Sequence, residues 1–324
     1  MRICVTGGTG FLGSAICNNL LKQGYSVIAF DNFSRKSHIK ENYNYDVFEG
    51  DIRNKNDLQA CITKYNGFDA MWHFAYVNGT EQFYKNPQLV LDVGVKGVIN
   101  TLDVSLENKI KNYLLVSTSE VYNEPINIPT PESERMLIPD AYNPRFSYSG
   151  GKIISELMAI HYGGTQGLNI KIVRPHNVFG PNMGFEHVIP QIIKKIVLPK
   201  NPEYLNGKLI VNIQGNGMET RSFCFIDAAA EQISLVGSDS TPSGTYNIGI
   251  VDEINISNLV YLIAQILKID IVIYSGVKPE GSSNRRCPDM FKMQQLGYIA
   301  KHDLMIGLKK TIDWYKNFYL KGKI

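Results

Sequence analysis

Short apolar runs alternate along the first half of the chain with longer stretches in which apolar side chains recur at helical spacing. The apolar runs predict strands at residues 2–5, 26–30, 45–49, 70–73, 113–117 and 170–174. The periodic stretches predict helices at residues 11–23, 55–64, 88–107 and 148–162. Strands that alternate with helices form a parallel sheet covered on both faces. We therefore predict an α/β fold built on a doubly wound parallel sheet.

The regular alternation ends after residue 174, where prolines become frequent. Five of them fall within about thirty residues: Pro175, Pro181, Pro190, Pro199 and Pro202. A further strand is predicted near 208–214, and further helices near 227–236, 256–267 and 304–320. We predict a first lobe at residues 1–174, completed by parts of 208–250, and a smaller, discontinuous second lobe at 175–324.

Composition narrows the classes of partner. The chain has 324 residues, of which 44% are hydrophobic and 19% are charged, as in a globular protein. Its net charge of +3 is too small to favour a nucleic-acid or membrane partner. The sequence has no run of about 18 apolar residues and begins in a strand pattern without a cationic leader, so we expect a cytoplasmic protein with a small-molecule partner. Its five single cysteines predict neither a disulfide framework nor a metal site.

Glycines between the first strand and the first helix provide the first chemical signal. Gly7, Gly10 and Gly13 permit a sharp turn and a close approach of the backbone to a pyrophosphate, whose charge the helix N-terminus stabilises. Asp31 ends the second strand at the distance expected for an acid that binds the adenosine ribose hydroxyls. The sequence therefore predicts a dinucleotide site.

Asp31 also bears on which dinucleotide is bound. A carboxylate repels the extra phosphate of NADP, so we predict NAD, although Arg35 or Lys36 would suit a phosphate if either side chain turned inward. Asp51 and Ile52, after the third strand, are predicted at the adenine edge.

Tyr148 and Lys152 form the second signal. They lie four residues apart in a predicted helix, so both side chains project from one face. An ammonium group near a phenol lowers the phenol pKa, as would the positive ring of an oxidised nicotinamide. Tyr148 is therefore a candidate general base, and Thr118, which follows a predicted strand, is a candidate partner.

These features resemble the extended short-chain dehydrogenase/reductases that modify nucleotide sugars. The motifs occur in that family's order over nearly the whole chain: Gly7, Gly10 and Gly13; Thr118-Ser119-Glu120-Val121-Tyr122; Tyr148 with Lys152; and Arg174-Pro175-His176-Asn177-Val178-Phe179-Gly180-Pro181. The resemblance implies a Rossmann lobe with tightly bound NAD, a smaller C-terminal lobe that binds a nucleotide-diphosphate sugar, and a homodimer formed through two packed helices per subunit.

The resemblance also implies residue roles. Tyr148 would remove the proton of the sugar C4 hydroxyl, Lys152 would hold the ribose, and Thr118 would hydrogen-bond the hydroxyl. Asn177, Arg221 and Arg286 would bind the diphosphate region of the substrate. The implied cofactor contacts are Gly7, Gly10, Phe11, Leu12, Gly13, Asp31, Asn32, Asp51, Ile52, Phe74, Ala75, Tyr148, Lys152 and Pro175.

Glu120 bears on the step after oxidation at C4. A 4-keto group acidifies the C5 hydrogen, so a carboxylate beside Thr118 would promote loss of water from C6, which predicts a 4,6-dehydratase. The Thr-Ser-Glu triplet resembles the UDP-glucuronate decarboxylases as closely as it resembles the dehydratases. Ser119 stands where many dehydratases carry an acid. A C4 epimerase has no use for this base.

Four further residues depart from the family's usual pattern, and two of them, Gly94 and Asn123, loosen the subfamily assignment. Gly94 and Asn123 depart from the asparagine and glycine that are usual in the family, and His176 and His187 are less typical additions near the expected sugar pocket. A dinucleotide-binding sensor without turnover is the alternative to an enzyme. Because Tyr148, Lys152 and Thr118 are all present, the sequence predicts an enzyme.

Overall fold

The computed structural model describes residues 1–35, 43–277, 284–300 and 303–321, so Lys36 lies outside the described residues. The strands are Arg2–Thr6 (β1), Ser26–Asp31 (β2), Asp46–Glu49 (β3), Ala70–His73 (β4), Asn112–Val116 (β5), Asn169–Pro175 (β6), Val178–Phe179 (β7), Tyr204–Leu205 (β8), Lys208–Ile213 (β9), Thr220–Ser222 (β10), Cys224–Phe225 (β11), Gly244–Ile248 (β12), Glu253–Asn255 (β13), Ile271–Ser275 (β14) and Arg285–Arg286 (β15).

The helices are Phe11–Lys22 (α1), Lys55–Lys64 (α2), Thr80–Lys85 (α3), Pro87–Leu91 (α4), Gly97–Glu107 (α5), Ser147–Leu157 (α6), Val188–Val197 (α7), Ile226–Gly237 (α8), Ile256–Leu267 (α9), Phe291–Gln295 (α10) and Leu304–Leu320 (α11). Among the described residues, no helix is long and apolar enough to span a membrane.

Seven parallel strands form the central sheet, in the order β12-β6-β5-β4-β1-β2-β3. The predicted doubly wound α/β fold is confirmed. The strand order changes direction between β1 and β4, which leaves a crevice at the carboxyl ends of these two strands. A ligand site is expected at this point.

Both faces of the sheet are buried, as the apolar strand runs predict. Side chains alternate along β1, so Ile3 and Val5 lie in the core shared with α1 and α8, while Cys4 lies in the core on the opposite face. The cysteines follow the same division. All five are buried and unpaired, with Cys17 and Cys224 on the first face and Cys61 beside Cys4 on the second.

The chain returns to the central sheet through β12, which pairs with β6 at the edge. The strand predicted near 208–214 lies elsewhere, because β9 pairs with β8 and β14 in a separate three-stranded sheet. Its buried side chains Leu209, Val211 and Ile213 alternate and pack in a second core with α7, α9 and α11. This core belongs to the part of the chain after β6.

Two predicted helices are interrupted in the structure. The stretch 88–107 consists of α4, a π-helical turn at Asp92–Lys96 and α5. The stretch 148–162 consists of α6 and a second π-helical turn at Met158–Gly163. The hydrophobic pattern predicts helix at both places, but it does not distinguish the i→i−5 hydrogen bonds of a short π-helical turn from the i→i−4 bonds of an α-helix.

A buried ion pair joins β6 to α6. Arg174 donates from Nη2 to Glu156 Oε2 at 2.6 Å and from Nε to Glu156 Oε1 at 2.9 Å. The two side chains are 5% and 0% exposed. The Ser117 hydroxyl also donates to Glu156, and Arg174 Nη1 donates to the Tyr122 hydroxyl at 2.9 Å. Removing one partner leaves the other charge buried without compensation.

We expect Glu156→Ala to lower the free energy of unfolding by about 3–5 kcal/mol, because the Arg174 guanidinium stays buried without its carboxylate. The matched control is Glu81→Ala, which breaks an exposed, solvent-screened pair with Lys85 and is expected to cost far less. Urea denaturation of the purified variants measures both values. Equal losses would contradict the structural role of the buried pair.

Candidate active site

A cleft of about 590 Å³ occupies the crevice at the carboxyl ends of β1 and β4. It collects the predicted site residues from several strands and loops. Those that line it are Gly7, Gly10, Phe11, Leu12, Gly13, Asp31, Asn32, Asp51, Ile52, Phe74, Ala75, Thr118, Ser119, Glu120, Tyr148, Lys152, Pro175, Asn177 and Arg286.

Arg221 lies outside this lining, in β10. Its strand pairs with β15 in a register that places Arg221 beside Arg286. The Arg221 guanidinium donates to the Thr220 carbonyl at 2.8 Å. Burial and the charge of Arg286 lower the pKa of Arg221 to about 10. Two arginines therefore lie side by side, and Arg286 is the one that borders the cleft.

The glycine turn forms a cradle that side chains would fill. Gly7 has φ +69°, and a Cβ there would lie 2.7 Å from the Ala75 backbone nitrogen. A Cβ at Gly13 would lie 2.1 Å from the Gly7 carbonyl oxygen. No side chain caps α1 at Gly10, so the helix N-terminus presents its amides to the cleft. This turn fits a dinucleotide pyrophosphate.

Two carboxylates mark one end of the cleft. Asp31 accepts from the Thr9 backbone at 3.0 Å and from the Phe33 backbone at 2.9 Å, which fixes its position after β2. Hydrogen bonds from Arg53 lower the pKa of the Asp51 carboxyl to about 2. Arg35 also lines the cleft, and its guanidinium donates to the Asn182 carbonyl at 2.6 Å. Fixed anionic groups at this end fit ribose hydroxyls.

The other end contains the tyrosine, lysine and threonine. Tyr148 and Lys152 lie on the first turns of α6, while Thr118 follows β5 and caps the turn Ser119–Val121. Thr118 Oγ1 accepts from the Glu120 backbone at 3.2 Å. Lys152 Nζ donates to the Val116 carbonyl at 2.6 Å. This end therefore unites the strand β5 with the helix α6.

Burial is the largest cause of the pKa shifts at this end of the cleft. It raises the pKa of Tyr148, and the Glu120 charge raises it further, while the Thr118 hydroxyl lowers it. Burial also lowers the pKa of Lys152 to about 7, against the effect of Glu156. The chain's own groups thus keep Tyr148 protonated, whereas the sequence predicted that Lys152 would lower its pKa. The cause is that both side chains are withdrawn from water.

Tyr76 was not identified from the sequence, whereas His176 and His187 were. Tyr76, in the loop after β4, places its ring centroid 3.9 Å from Lys152 Nζ and packs at right angles to the Tyr148 ring. His187 lines the cleft where α7 begins, and burial with nearby Arg35 lowers its pKa. His176 instead is buried, with Nε2 3.1 Å from Asn247 Oδ1. Gly94 stands out in the sequence as a departure from the usual asparagine, but the sequence does not show that it lies against Tyr76.

Comparison with known proteins agrees with this architecture. UDP-N-acetyl-alpha-D-glucosaminuronate decarboxylase of Bacillus cytotoxicus is 28% identical over 97% of this chain and 98% of its own length. UDP-glucuronic acid decarboxylase 1 of Arabidopsis thaliana is 26% identical over 98% of this chain and 70% of its own length. The solved UDP-glucose 4-epimerase of Thermotoga maritima superposes with a TM-score of 0.85 at 24% identity, covering 98% of this chain and 100% of that one.

The sequence profile of the NAD dependent epimerase/dehydratase family matches residues 3–249. This range runs from β1 to the end of β12 and so includes the whole central sheet and the glycine turn. The resemblance based on the motifs is thereby confirmed, and the chain belongs to the NAD dependent epimerase/dehydratase family.

Proposed function

We propose that the protein is an NAD-dependent enzyme that oxidises a nucleotide-diphosphate sugar at C4 and then removes water across C5 and C6. The observation that carries this proposal is the arrangement of the cleft. Tyr148, Lys152, Thr118 and Glu120 meet at one end, and the fixed carboxylate of Asp31 lies at the other, with the glycine turn between them. A dinucleotide laid along this cleft would bring its nicotinamide to the tyrosine.

The proton step at C4 belongs to Tyr148. As a phenolate, its oxygen would accept the proton of the sugar C4 hydroxyl, and the Thr118 hydroxyl would orient that group. Because burial raises the pKa of Tyr148, a positive charge beside it is required for this step. Lys152 and an oxidised nicotinamide both supply such a charge. NAD, when bound, provides the hydride acceptor for C4 and later the hydride donor for C6.

Glu120 would carry the next step. The ketone at C4 acidifies the C5 hydrogen, so the Glu120 carboxylate removes that proton as the C6 hydroxyl leaves as water. Of the two protons held by Tyr148 and Glu120, one leaves with the C6 hydroxyl as water and the other returns to C5. Hydride returned to C6 then gives a 4-keto-6-deoxy sugar, so the overall reaction is loss of water without net oxidation. Of the described residues that line the cleft, Asp31, Asp51 and Glu120 are the carboxylates, and the first two lie at the adenosine end.

Decarboxylation is the second candidate, and two observations favour it. Ser119 provides no acid to protonate a departing C6 oxygen. The relatives from Bacillus cytotoxicus and Arabidopsis thaliana, which match nearly the whole chain, are both called decarboxylases. In that reaction the C4 ketone receives the electrons of the C5 bond as carbon dioxide leaves, and an acid returns a proton to C5.

The second lobe would hold the nucleotide diphosphate. Arg286 and Asn177 line the cleft beyond Pro175, and Arg221 lies next to Arg286 in the strand register. Paired guanidinium groups suit a diphosphate because each donates several charge-assisted hydrogen bonds. The position of these residues after Pro175 supports two lobes. The first, residues 1–174 with β12, would bind the cofactor, and the second, after residue 174, would bind the substrate.

A homodimer is supported by an apolar surface on adjacent helices. Leu91 on α4 is exposed, as are Ile154 and Leu157 on α6. The two helices contact each other and Leu91 lies against α6 at Gly151, so these three side chains form one apolar patch. Apolar patches of this kind mark interfaces between subunits.

The proposed reaction is tested by mass spectrometry of products from a panel of GDP-, UDP-, dTDP- and CDP-sugars that includes UDP-glucuronate. We expect loss of water, and a fall in turnover of at least about 100-fold in Glu120→Gln, whose amide is no base. Tyr148→Phe is expected to abolish turnover while cofactor binding remains.

The outcomes separate the candidates. Loss of carbon dioxide from UDP-glucuronate alone would replace dehydration by decarboxylation. An unchanged mass with inverted C4 would indicate epimerisation and leave Glu120 without its role. Turnover of none of these sugars, with the cofactor bound, would favour a sensor.

The preference for NAD is tested with Asp31→Asn, which removes the charge and keeps the size of the side chain. We expect NAD affinity to fall by about 10-fold and NADP affinity to rise, because the repulsion of the ribose phosphate is gone. Calorimetry on cofactor-free protein measures both. The control Asp69→Asn, at a carboxylate bonded to Arg2 away from the cleft, should change neither affinity, and an unchanged ratio in Asp31→Asn would refute the assignment.

The dimer is tested with Leu157→Glu, which places a charge in the apolar patch. Sedimentation of the wild type should give twice the mass of one chain, and the variant should give the mass of one chain. The control Ile126→Glu changes an exposed apolar side chain outside the patch and should remain dimeric. A wild type that sediments as a single chain would contradict the proposal.

A further inference from the structure

Tyr76 lies between the two groups that would perform the proton step. Its ring face is 3.9 Å from Lys152 Nζ, measured to the centroid. Its ring packs against Tyr148 at 5.3 Å between centroids and at 86°. Phe83 stacks on Tyr148 at 4.8 Å and completes the aromatic wall. One side chain from the loop after β4 therefore contacts both the lysine and the tyrosine of α6.

Two glycines make the slot that admits this ring. A Cβ at Gly94 would lie 2.2 Å from Tyr76 Oη and 2.5 Å from its Cζ. A Cβ at Gly151 would lie 2.2 Å from the same hydroxyl but 3.5 Å from Cζ. Ser155 holds the two segments together, since its hydroxyl donates to the carbonyls of Gly151 and Gly94. The π-helical turn and α6 thus close on the Tyr76 phenol from two sides.

The slot determines what the Lys152 ammonium faces. Lys152 is only 2% exposed, and its ammonium donates to the neutral Val116 carbonyl. The ionisable groups that influence it are Glu156 on its own helix and His73 on β4. An aromatic face attracts an ammonium through its quadrupole, and most strongly where water is excluded. The Tyr76 ring supplies this attraction at the point where Lys152 is buried.

We propose that Tyr76 is a positioning residue, which holds the Lys152 ammonium on its ring face and fixes the Tyr148 ring at right angles to it. This proposal deepens the proposed function, since it concerns the same proton step. The phenol hydroxyl has no role in it. That hydroxyl is buried and has no hydrogen-bond partner among the described residues, so the ring is the functional part.

The effect of losing the ring has a definite sign. Lys152 has a pKa of about 7 because of burial, so weaker stabilisation of its charged form lowers that pKa further and leaves the lysine neutral near pH 7. A neutral lysine no longer supports a Tyr148 phenolate, whose formation burial and Glu120 already oppose. The acid limb of turnover therefore moves to higher pH and the alkaline limb to lower pH.

The experiment compares Tyr76→Leu with Tyr76→Phe in the cofactor-bound protein. NMR of protein labelled with ¹³C at the lysine Cε follows the titration of Lys152, which is assigned by its absence from Lys152→Met. We expect the Lys152 pKa to fall by about one unit in Tyr76→Leu and to stay at the wild-type value in Tyr76→Phe, which keeps the ring. Where turnover is measurable, its pH profile should narrow in Tyr76→Leu and recover in Tyr76→Phe.

The glycine slot provides an independent pair of variants. Gly151→Ala would contact the hydroxyl of Tyr76 alone at short range, so adding Tyr76→Phe should restore the Lys152 titration. Gly94→Ala would also contact the ring carbons at 2.5 and 2.7 Å, so Tyr76→Phe should not restore it. This crossed pattern holds even if Tyr76→Leu fails to fold.

The Lys152 titration tests the positioning role of Tyr76, and it does so independently of any nucleotide-sugar turnover. A Lys152 pKa that is the same in Tyr76→Leu, Tyr76→Phe and wild type, in folded proteins, overturns the positioning role. So does rescue of both glycine variants, or of neither, by Tyr76→Phe. If no nucleotide sugar is turned over, the proposed function fails, while the NMR titration still reports whether Tyr76 holds Lys152.

Discussion

The ion pair between Arg174 and Glu156 determines where the end of the cleft that contains Tyr148 and Lys152 can form. It joins the end of β6 to the middle of α6, and Ser117 on the neighbouring strand end donates to the same carboxylate. The Tyr122 hydroxyl links this group to Asn247 on β12 at 2.8 Å. Because charges buried in this way are stable only in one geometry, α6 cannot slide along the sheet. Tyr148 and Lys152 are thereby fixed relative to Thr118.

The parallel sheet gives the cleft a different chemistry at each position along its length. Every strand of the central sheet ends at the same edge, so the loops after β1, β2, β4 and β5 supply residues with different chemistry to one groove. Fixed carboxylates lie at the ends of β2 and β3, bare backbone lies after β1, and buried hydroxyl and ammonium groups lie after β5 and on α6. A ligand with a polar, an anionic and a reactive part matches this order.

Local patterns account for what the sequence could predict. The glycines at 7, 10 and 13, the acid at 31 and the pair at 148 and 152 lie within single strand-helix units, where spacing sets the geometry. Arg221 was placed less well because its position depends on the pairing of β10 with β15, which are more than sixty residues apart. The strand at 208–213 was likewise assigned by pattern, while its sheet depends on β14.

The contacts of Tyr76 were beyond the sequence for a related reason. They join a loop, a π-helical turn and α6, and no periodicity encodes such a meeting. In the sequence, Gly94 stands out only as a departure from the usual asparagine, and Gly151 looks like an ordinary helix residue. Their role is evident only in the folded chain, where a Cβ at either position would lie 2.2 Å from the Tyr76 hydroxyl.

The burial of all five cysteines makes them probes of how often the core opens. A thiol reagent reaches these sulfurs only when the surrounding core opens, so the rate of alkylation measures opening and not intrinsic thiol reactivity. Since Cys17 and Cys224 lie beneath one layer of helices and Cys4 and Cys61 beneath the other, their separate rates would distinguish the loosening of either layer from unfolding of the whole sheet.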